Sequence, residues 1–474
     1  VQILPAVRVD GDVQVESGRI KDVVLIILMR IWNLISNTPL YTSVAQESID
    51  AGVPLSNMLV RATRYLRQQG ALRVIHREAN ANGDEPHLIS YYGAQSVGSD
   101  FFDAAEAYAR MIGEELERYV WMHSDTVFAR KSINTSYSHI RRRALNIFNL
   151  AGFSDEYRIS EPRLQFTEET RFNWSLVRSL VQRRYIFCPT QLLSAKYANQ
   201  AKDTEPLLRW AVTTGLATGM SIDEAITKGI LEIIERDAFM ITYLNKLTPP
   251  RYDLDALAKK DSRIRHLNNL FKLHNIEAYV VALPTDLPAH VSCGILVDRT
   301  KHGPQLTVGA SAGFSQKETI IKSLEEAVEV RRHARQHVDR ELPAKSQFSK
   351  FDRIVYWGKK KNLNSIKFLL DGDFLQGDFP EEFKTSPAPW RSWRQLLVKK
   401  FKEKGYELVY SELTNASDVK NTGLHTVVVV IPEMQPLHLY EAAPYFGGER
   451  IHSVPKRLGY GVASELNTEP HPFP

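Results

Sequence analysis

Gly219-Met-Ser-Ile-Asp-Glu-Ala-Ile-Thr-Lys-Gly-Ile-Leu-Glu-Ile-Ile-Glu-Arg236 puts a helix start, an apolar face and a carboxylate pair on one short element. Ser221 followed three residues later by Glu224 has the form of a capping box, in which each side chain satisfies an orphan amide of the first turn. A helix is therefore expected to begin near Ser221. Ile226, Ile230, Leu231, Ile233 and Ile234 interleave with polar residues and give it an apolar face. Glu232 and Glu235, three apart, share a side. Like charges at that spacing repel, so they either point into water or hold something positive between them. Alone, such a pair is most often a solvated face.

The same spacing recurs twice. Asp103 is followed by Glu106, Glu114, Glu117 and Arg118 at offsets of three, eleven, fourteen and fifteen, the offsets of Glu224, Glu232, Glu235 and Arg236 from Ser221. A third copy begins at Ser315, with Glu318, Glu326 and Glu329 in register and its arginine moved one place, to Arg331. A glycine precedes each cap, at Gly98, Gly219 and Gly313. Three capped helices, each presenting a carboxylate pair about two turns beyond its start, are much harder to explain as chance surface charge than one. Carboxylates converging from separate helices are hard oxygen ligands suited to Mg2+, which binds through a few carboxylates plus nucleotide phosphate oxygens. Arg118, Arg236 and Arg331 could then contact phosphates or neutralise the remaining carboxylates. Gly215-Leu-Ala-Thr-Gly219 lacks the lysine of a Gly-x-x-x-x-Gly-Lys-Ser/Thr loop, so a nucleotide bound here is bound in an unusual way.

Around these helices the composition is that of an ordinary globular chain: 474 residues, 43% hydrophobic and 24% charged, with room for two or three domains. The net charge of +5 favours no nucleic-acid coat and leaves an anionic small molecule open. Two cysteines, Cys188 and Cys293, speak against a disulfide framework and suit a reducing cytosol. The apolar run Val23 to Met29 is far short of a membrane span, and no cleavable signal is legible, so a cytoplasmic protein without a membrane partner is expected.

Residues 1–78 read as a small winged-helix-like module. Val7 to Val15 alternates around a turn at Asp10-Gly11-Asp12, and helices fit Asp22 to Ile35, Thr42 to Asp50, and Ser56 to Gly70. A strand is expected over Ala71 to Ile75. Arg61, Arg64, Arg67 and Arg73 supply positive charge but no clear base-reading set, so nucleic acid is not the expected partner. The polar segment Ala79-Asn-Ala-Asn-Gly-Asp-Glu-Pro86 places a linker at 79–90.

Gly98 to Arg118, the stretch from Thr213 through Gly219 into Glu232-Ile-Ile-Glu-Arg-Asp-Ala238, and Leu324-Glu-Glu-Ala-Val-Glu-Val-Arg331 resemble, in order, the three signatures of the YcaO family. Phe172-Asn-Trp174, Cys188-Pro189, Val430-Ile-Pro-Glu-Met-Gln-Pro436 and Gly447-Gly-Glu-Arg450 are supporting matches. The resemblance implies an α+β fold, with a YcaO-type helix-and-sheet catalytic domain over 91–474 after the winged-helix-like module. It implies ATP and Mg2+ as cofactors, with Glu114, Glu117, Glu232 and Glu235 as metal or nucleotide ligands. Arg118, Thr214, Arg236, Glu326, Glu329 and Arg331 fall on the nucleotide side. Two positions depart from the family pattern: Thr214 stands where asparagine is frequent, and Glu329 where glutamine is.

The last five residues, Pro470-His-Pro-Phe-Pro474, favour a stiff extended tail. They resemble the terminal Pro-x-Pro-x-Pro of azoline-forming YcaO cyclodehydratases, in which the tail reaches the active site; Pro470, Pro472 and Pro474 are thereby implied in catalysis, the terminal carboxylate as a proton acceptor. The implied reaction is a backbone cyclodehydration of Cys, Ser or Thr in a ribosomally made precursor peptide, the carbonyl oxygen taking a phosphoryl group from ATP. The implied partners are an E1-like, leader-binding protein and a flavin-dependent dehydrogenase, and a homo-oligomer is compatible. Residues 1–78 are expected to recognise a leader peptide or dock a partner. Installation of a thioamide or amidine, and a non-catalytic nucleotide-binding scaffold, are the competing readings.

Overall fold

The computed structural model describes residues 56–78, 86–124, 127–128, 132–300, 303–337, 340–375 and 390–473. The elements expected before Ser56 lie outside the described residues, as do most of the 79–90 linker and Pro474. Among the described residues no helix is long and apolar enough to cross a membrane.

Helix α1 (Asn57–Gln68) starts where Ser56 Oγ accepts the Leu59 amide and ends before Gly70, at φ +69°. Its Leu59, Ala62 and Leu66 are buried, and the helix shares a core with Met111, Ile112 and Leu116 of α2 (Ala104–Met122). The strand expected over Ala71 to Ile75 forms later, as β1 (His76–Glu78), because Leu72 and Ile75 are drawn into that same core. β1 pairs antiparallel with β2 (Ile89–Tyr92), which pairs with β3 (Val97–Asp100), so the expected linker ends before Ile89.

Beyond α2 follow β4 (Ser132–Ser136), β5 (Arg171–Ser179), β6 (Tyr185–Pro189) and β7 (Leu216–Gly219), leading into α3 (Ile222–Leu244). Next come β8 (Ile276–Ala282), β9 (His290–Asp298), β10 (Leu306–Gly313), α4 (Gln316–Arg335) and α5 (Lys350–Gly358). The chain closes with α6 (Trp390–Glu403), β11 (Val409–Glu412), α7 (Ala416–Thr422), β12 (His425–Val430) and α8 (Glu449–Arg457). One antiparallel sheet runs β4-β5-β11-β12-β7 with β6 on β5, and another runs β10-β9-β8. Short helical turns join several of the elements.

The main core is built where α3 lies between these two sheets. Ile226, Ile230, Ile233 and Ile234 meet Val427 and Val429 of β12 on one side and Cys293, Ile295 and Val308 of the β8–β10 sheet on the other. Each such buried side chain contributes about 2 kcal/mol through apolar area removed from water. Helix α4 sits on β10 so closely that a Cβ on Gly309 would stand 2.5 Å from the Ala327 amide nitrogen, which is why the strand carries a glycine there. Cys188 and Cys293 are both free and buried, behaving as small apolar residues.

Candidate active site

The three expected helix starts form as read. Ser221 Oγ accepts the Glu224 amide at 3.2 Å, and the Glu224 carboxylate reaches back to the Met220 amide at 3.0 Å. Asp103 accepts from Ala105 and Glu106, and Ser315 from Glu318. Each cap follows directly on a strand, so the chain contains three strand-then-helix units: β3 with α2, β7 with α3, and β10 with α4. Fixing the caps fixes the rotation of each helix, and residues eleven and fourteen beyond a cap then face the same way.

The carboxylates join these units into a ring. In each unit the first glutamate accepts a hydrogen bond from the backbone at its own strand: Glu114 from Val97 N (3.0 Å), Glu232 from Gly215 N (2.9 Å) and Glu326 from Ala310 N (2.6 Å). The second reaches the strand of the next unit: Glu117 takes Thr218 N of β7 at 2.6 Å, and Glu235 takes Ala312 N of β10 at 3.1 Å. Glu329 closes the circle on the Ser99 hydroxyl of β3. Gly215 holds φ +88° in the turn before β7, a left-handed conformation that aims its amide at Glu232.

Six carboxylates thus meet two guanidiniums within the ring. Arg118 pairs with Glu114 at 2.9 Å, while Arg236 lies 3.7 Å from Glu232 and 3.6 Å from Glu235. Burial pushes the Glu117 carboxyl up to about 8, helped by Glu114 and Glu232. Burial likewise raises Glu232 to about 7 against the opposing pull of Arg236, and Glu329 to about 7 against its bond to Ser99. Glu235 and Glu326 are raised by burial too, each held back by Arg236. This excess of hard oxygen donors over positive charge is the environment that divalent cations such as Mg2+ neutralise, so the residues present fit a Mg2+–nucleotide complex.

An open recess of about 510 Å3 beside the ring is lined by Ser99, Arg110, Lys228, Lys322, Glu326 and Glu329. Arg110, Lys228 and Lys322 each stand seven residues beyond their caps, one turn before the first glutamate. Sequence reasoning tabulated the acids of the repeat and missed this basic position, although the shared offset signals it. Arg110 bonds Asp100 at 2.9 Å and Glu325 at 2.7 Å, and Lys228 pairs with Glu224 at 2.7 Å. A larger hollow of about 1080 Å3, lined by Phe148, Arg158, Phe166 and Glu449 among others, meets none of the six glutamates.

Arg331 does not join the ring. Its guanidinium is buried in a 2.6 Å pair with Asp298 and donates to Pro304 O at 3.0 Å. Val330 occupies the offset at which the other two units carry arginine, and one residue along a helix turns a side chain by about 100°. Thr214 lies half-buried beside Gly215, in the turn that supplies the Glu232 bond.

The C-terminal tail runs into the core. Pro470, His471, Pro472 and Phe473 are all buried. Trp357 Nε1 donates to Pro470 O at 2.8 Å, as does the Tyr243 hydroxyl at 2.9 Å. Phe473 packs against Phe239 with ring centroids 4.9 Å apart, and the Arg236 guanidinium lies 4.0 Å above its ring. Phe473 therefore lies against the arginine that contacts Glu232 and Glu235. The next residue of α3, Asp237, accepts 2.7 and 2.6 Å bonds from Arg450 of α8, both side chains 1% exposed, with Asp286 as a second partner of Arg450. This pair gives Gly447-Gly-Glu-Arg450 its place: it locks the rotation of α3 beneath the ring.

A family model described as YcaO cyclodehydratase, ATP- and Mg2+-binding, matches residues 102–435. The chain is 27% identical over 243 residues to an uncharacterized protein of Methanothermobacter thermautotrophicus, covering 51% of this chain and 59% of that protein. Its fold is similar to that of a heterocyclase solved in complex with substrate and cofactor, with a TM-score of 0.69 at 18% identity, over 87% of this chain and 57% of that one. It is also similar to a chain of the E. coli microcin synthetase McbBCD complex, with a TM-score of 0.56 at 14% identity, over 84% of this chain and 97% of that one. The chain thus spans less than two thirds of the length of the archaeal relative and of the heterocyclase. With its three capped helices and their intervening strands inside or bordering the matched span, the chain belongs to the YcaO family, whose cofactors are ATP and Mg2+.

Proposed function

We propose that the chain is an ATP-dependent cyclodehydratase that converts Cys, Ser or Thr residues of a ribosomal precursor peptide into azoline rings. The observation that carries this reading is the burial of Pro470 to Phe473 in the core, with Phe473 against Arg236 beside the glutamate ring. In this reading Glu114, Glu117, Glu232 and Glu235 would hold Mg2+. Arg118 and Arg236 balance the remaining charge and face the phosphates, and Thr214, Glu326 and Glu329 complete the nucleotide side. ATP, when bound with Mg2+, supplies the phosphoryl group that turns a peptide carbonyl oxygen into a leaving group. The chain's own part is to orient the triphosphate, to exclude water, and to hold the Pro470–Pro474 segment at the site of ring closure. Residues 1–78 bind a leader peptide or dock a partner, and an E1-like protein presents the substrate; the resemblance to a chain of a synthetase complex supports such an assembly.

The test is mass spectrometry of a verified precursor incubated with the chain, its partner and Mg-ATP. Loss of one water per ring, with phosphate release, is the expected outcome; phosphate turnover without mass loss, or neither, removes the reading. Deleting Pro470 to Pro474 should impair cyclisation far more than folding. Unchanged cyclisation by the truncated chain would remove the tail from the catalytic machinery, and with it the observation on which this reading rests.

A further inference from the structure

A second group of ligand-type side chains lies where the tail enters the core, apart from the glutamate ring. His438 and Glu441, in the segment between β12 and α8, meet His471 of the tail, and one donor atom from each lies within 4.8 Å of the others. The cluster is secluded: His438 is 3% exposed, His471 0%, and the Glu441 side chain 8%.

Two features of the bonding distinguish it from a hydrogen-bond network. His471 Nε2 lies 2.9 Å from the His438 carbonyl oxygen, which makes it the protonated nitrogen and leaves the Nδ1 lone pair; Nδ1 has no hydrogen-bond partner although it is fully buried. A metal-bound histidine is oriented in this way, with its other N–H on a backbone carbonyl. His438 Nε2 stands 3.4 Å from Glu441 Oε2, long for a hydrogen bond. It matches two donors each about 2.1 Å from a shared ion at a tetrahedral angle, which lie about 3.4 Å apart.

The charged group facing the cluster from α5 is Arg353, 0% exposed, which bonds Glu441 Oε1 at 3.3 Å and Leu439 O at 2.8 Å. It takes one carboxylate oxygen and leaves Oε2. Its positive charge disfavours a hard cation held by charge alone and leaves imidazole coordination as the source of affinity, which selects a borderline-soft ion.

We infer that His438, Glu441 and His471 form a binding site for a transition-metal dication, Zn2+ by its donor set, that pins the C-terminal segment to the body of the chain. Two imidazoles and one carboxylate leave a fourth position for water, and the ion would fix the tail two residues before Phe473, whose ring supports Arg236.

The test uses the full chain, stripped with chelator and reloaded with Zn2+ or Co2+ under excess Mg2+ so that oxygen-only sites are occupied. About one equivalent of Zn2+ should be retained through gel filtration, and Co2+ should give the strong visible absorption of a low-coordinate, nitrogen-ligated ion. His438→Asn and His471→Asn should each lose at least tenfold in retained metal, while Glu232→Gln, in the glutamate ring, retains it. Retention below a tenth of an equivalent by the wild-type chain, or equal retention by the histidine variants, overturns the proposal. X-ray absorption at the zinc edge of the wild-type protein provides a measurement independent of variant folding: imidazole scattering from two histidines is expected, and an all-oxygen shell overturns it. None of these readouts involves peptide or ATP turnover, so the site stands or falls separately from the proposed activity.

Discussion

Mg2+ should stabilise the chain most at alkaline pH. The folded state raises the carboxyls of Glu117 to about 8 and of Glu232 and Glu329 to about 7, from 4.5 in the unfolded chain. Between those limits the folded chain binds more protons than the unfolded one, so the contribution of these groups to stability falls as pH rises from about 4.5 to 8. Moving one carboxyl from 4.5 to about 7 corresponds to about 3.4 kcal/mol. The groups share one cluster and do not add, and Glu232 keeps 28% of its side-chain surface exposed, so about 3 kcal/mol is assigned to the set. With about 2.1 cal/mol/K of unfolding entropy per residue over 474 residues, that is about 3 °C in Tm. A cation among the ionised carboxylates removes the penalty at pH 8, whereas at pH 5.5 it must first displace protons. Thermal unfolding with Mg2+ and with chelator should therefore differ by about 3 °C more at pH 8 than at pH 5.5. Taking the difference cancels titrating groups remote from the ring. Equal Mg2+ shifts at the two pH values, or a larger shift at pH 5.5, would refute the electrostatic account of the site.

Glu232→Gln should weaken Mg-ATP binding by about 100-fold, read by calorimetry with a non-hydrolysable analogue; a change below threefold would remove Glu232 from the ligand set. Arg450→Ala leaves Asp237 charged and buried without its partner, and should cost about 3–5 kcal/mol in chemical denaturation, where a loss under 1 kcal/mol would show the pair to be dispensable. Phe473→Ala should cost about 3 kcal/mol by opening a cavity beside Phe239, and should raise the KM for ATP because Arg236 loses its supporting ring. Phe473→Leu, which refills most of the volume, should recover stability and leave the KM raised; recovery of both would assign Phe473 a packing role alone.

Local features were legible in the sequence and the closure of the site was not. Ser221, Asp103 and Ser315 were recognisable because a cap is settled within four residues, and the glutamate spacing followed from helix periodicity. No periodicity could state that Glu117 reaches Thr218 or that Glu235 reaches Ala312, since those bonds depend on how one unit packs against the next. The pairing of Arg331 with Asp298 was not legible for the converse reason: a residue one place along from the repeat position points to another side of its helix. The strand placed at Ala71 to Ile75 failed because burial of Leu72 and Ile75 satisfies an apolar alternation without any strand partner. His438 and His471 escaped notice because 33 residues separate them, although His438 and Glu441 at a three-residue spacing, with a histidine between the tail's prolines, were there to be read.

The ring of glutamates also constrains how the sequence can vary. Each unit lends its second carboxylate to its neighbour, so no unit contains a complete set of partners for its own acids. Excising one unit would orphan a buried carboxylate on one side and leave a strand amide without its acceptor on the other, and both defects are costly. The three stretches therefore depend on one another: a substitution at one seam is felt at the strand of the following unit, and compensation has to come from a segment distant in the chain.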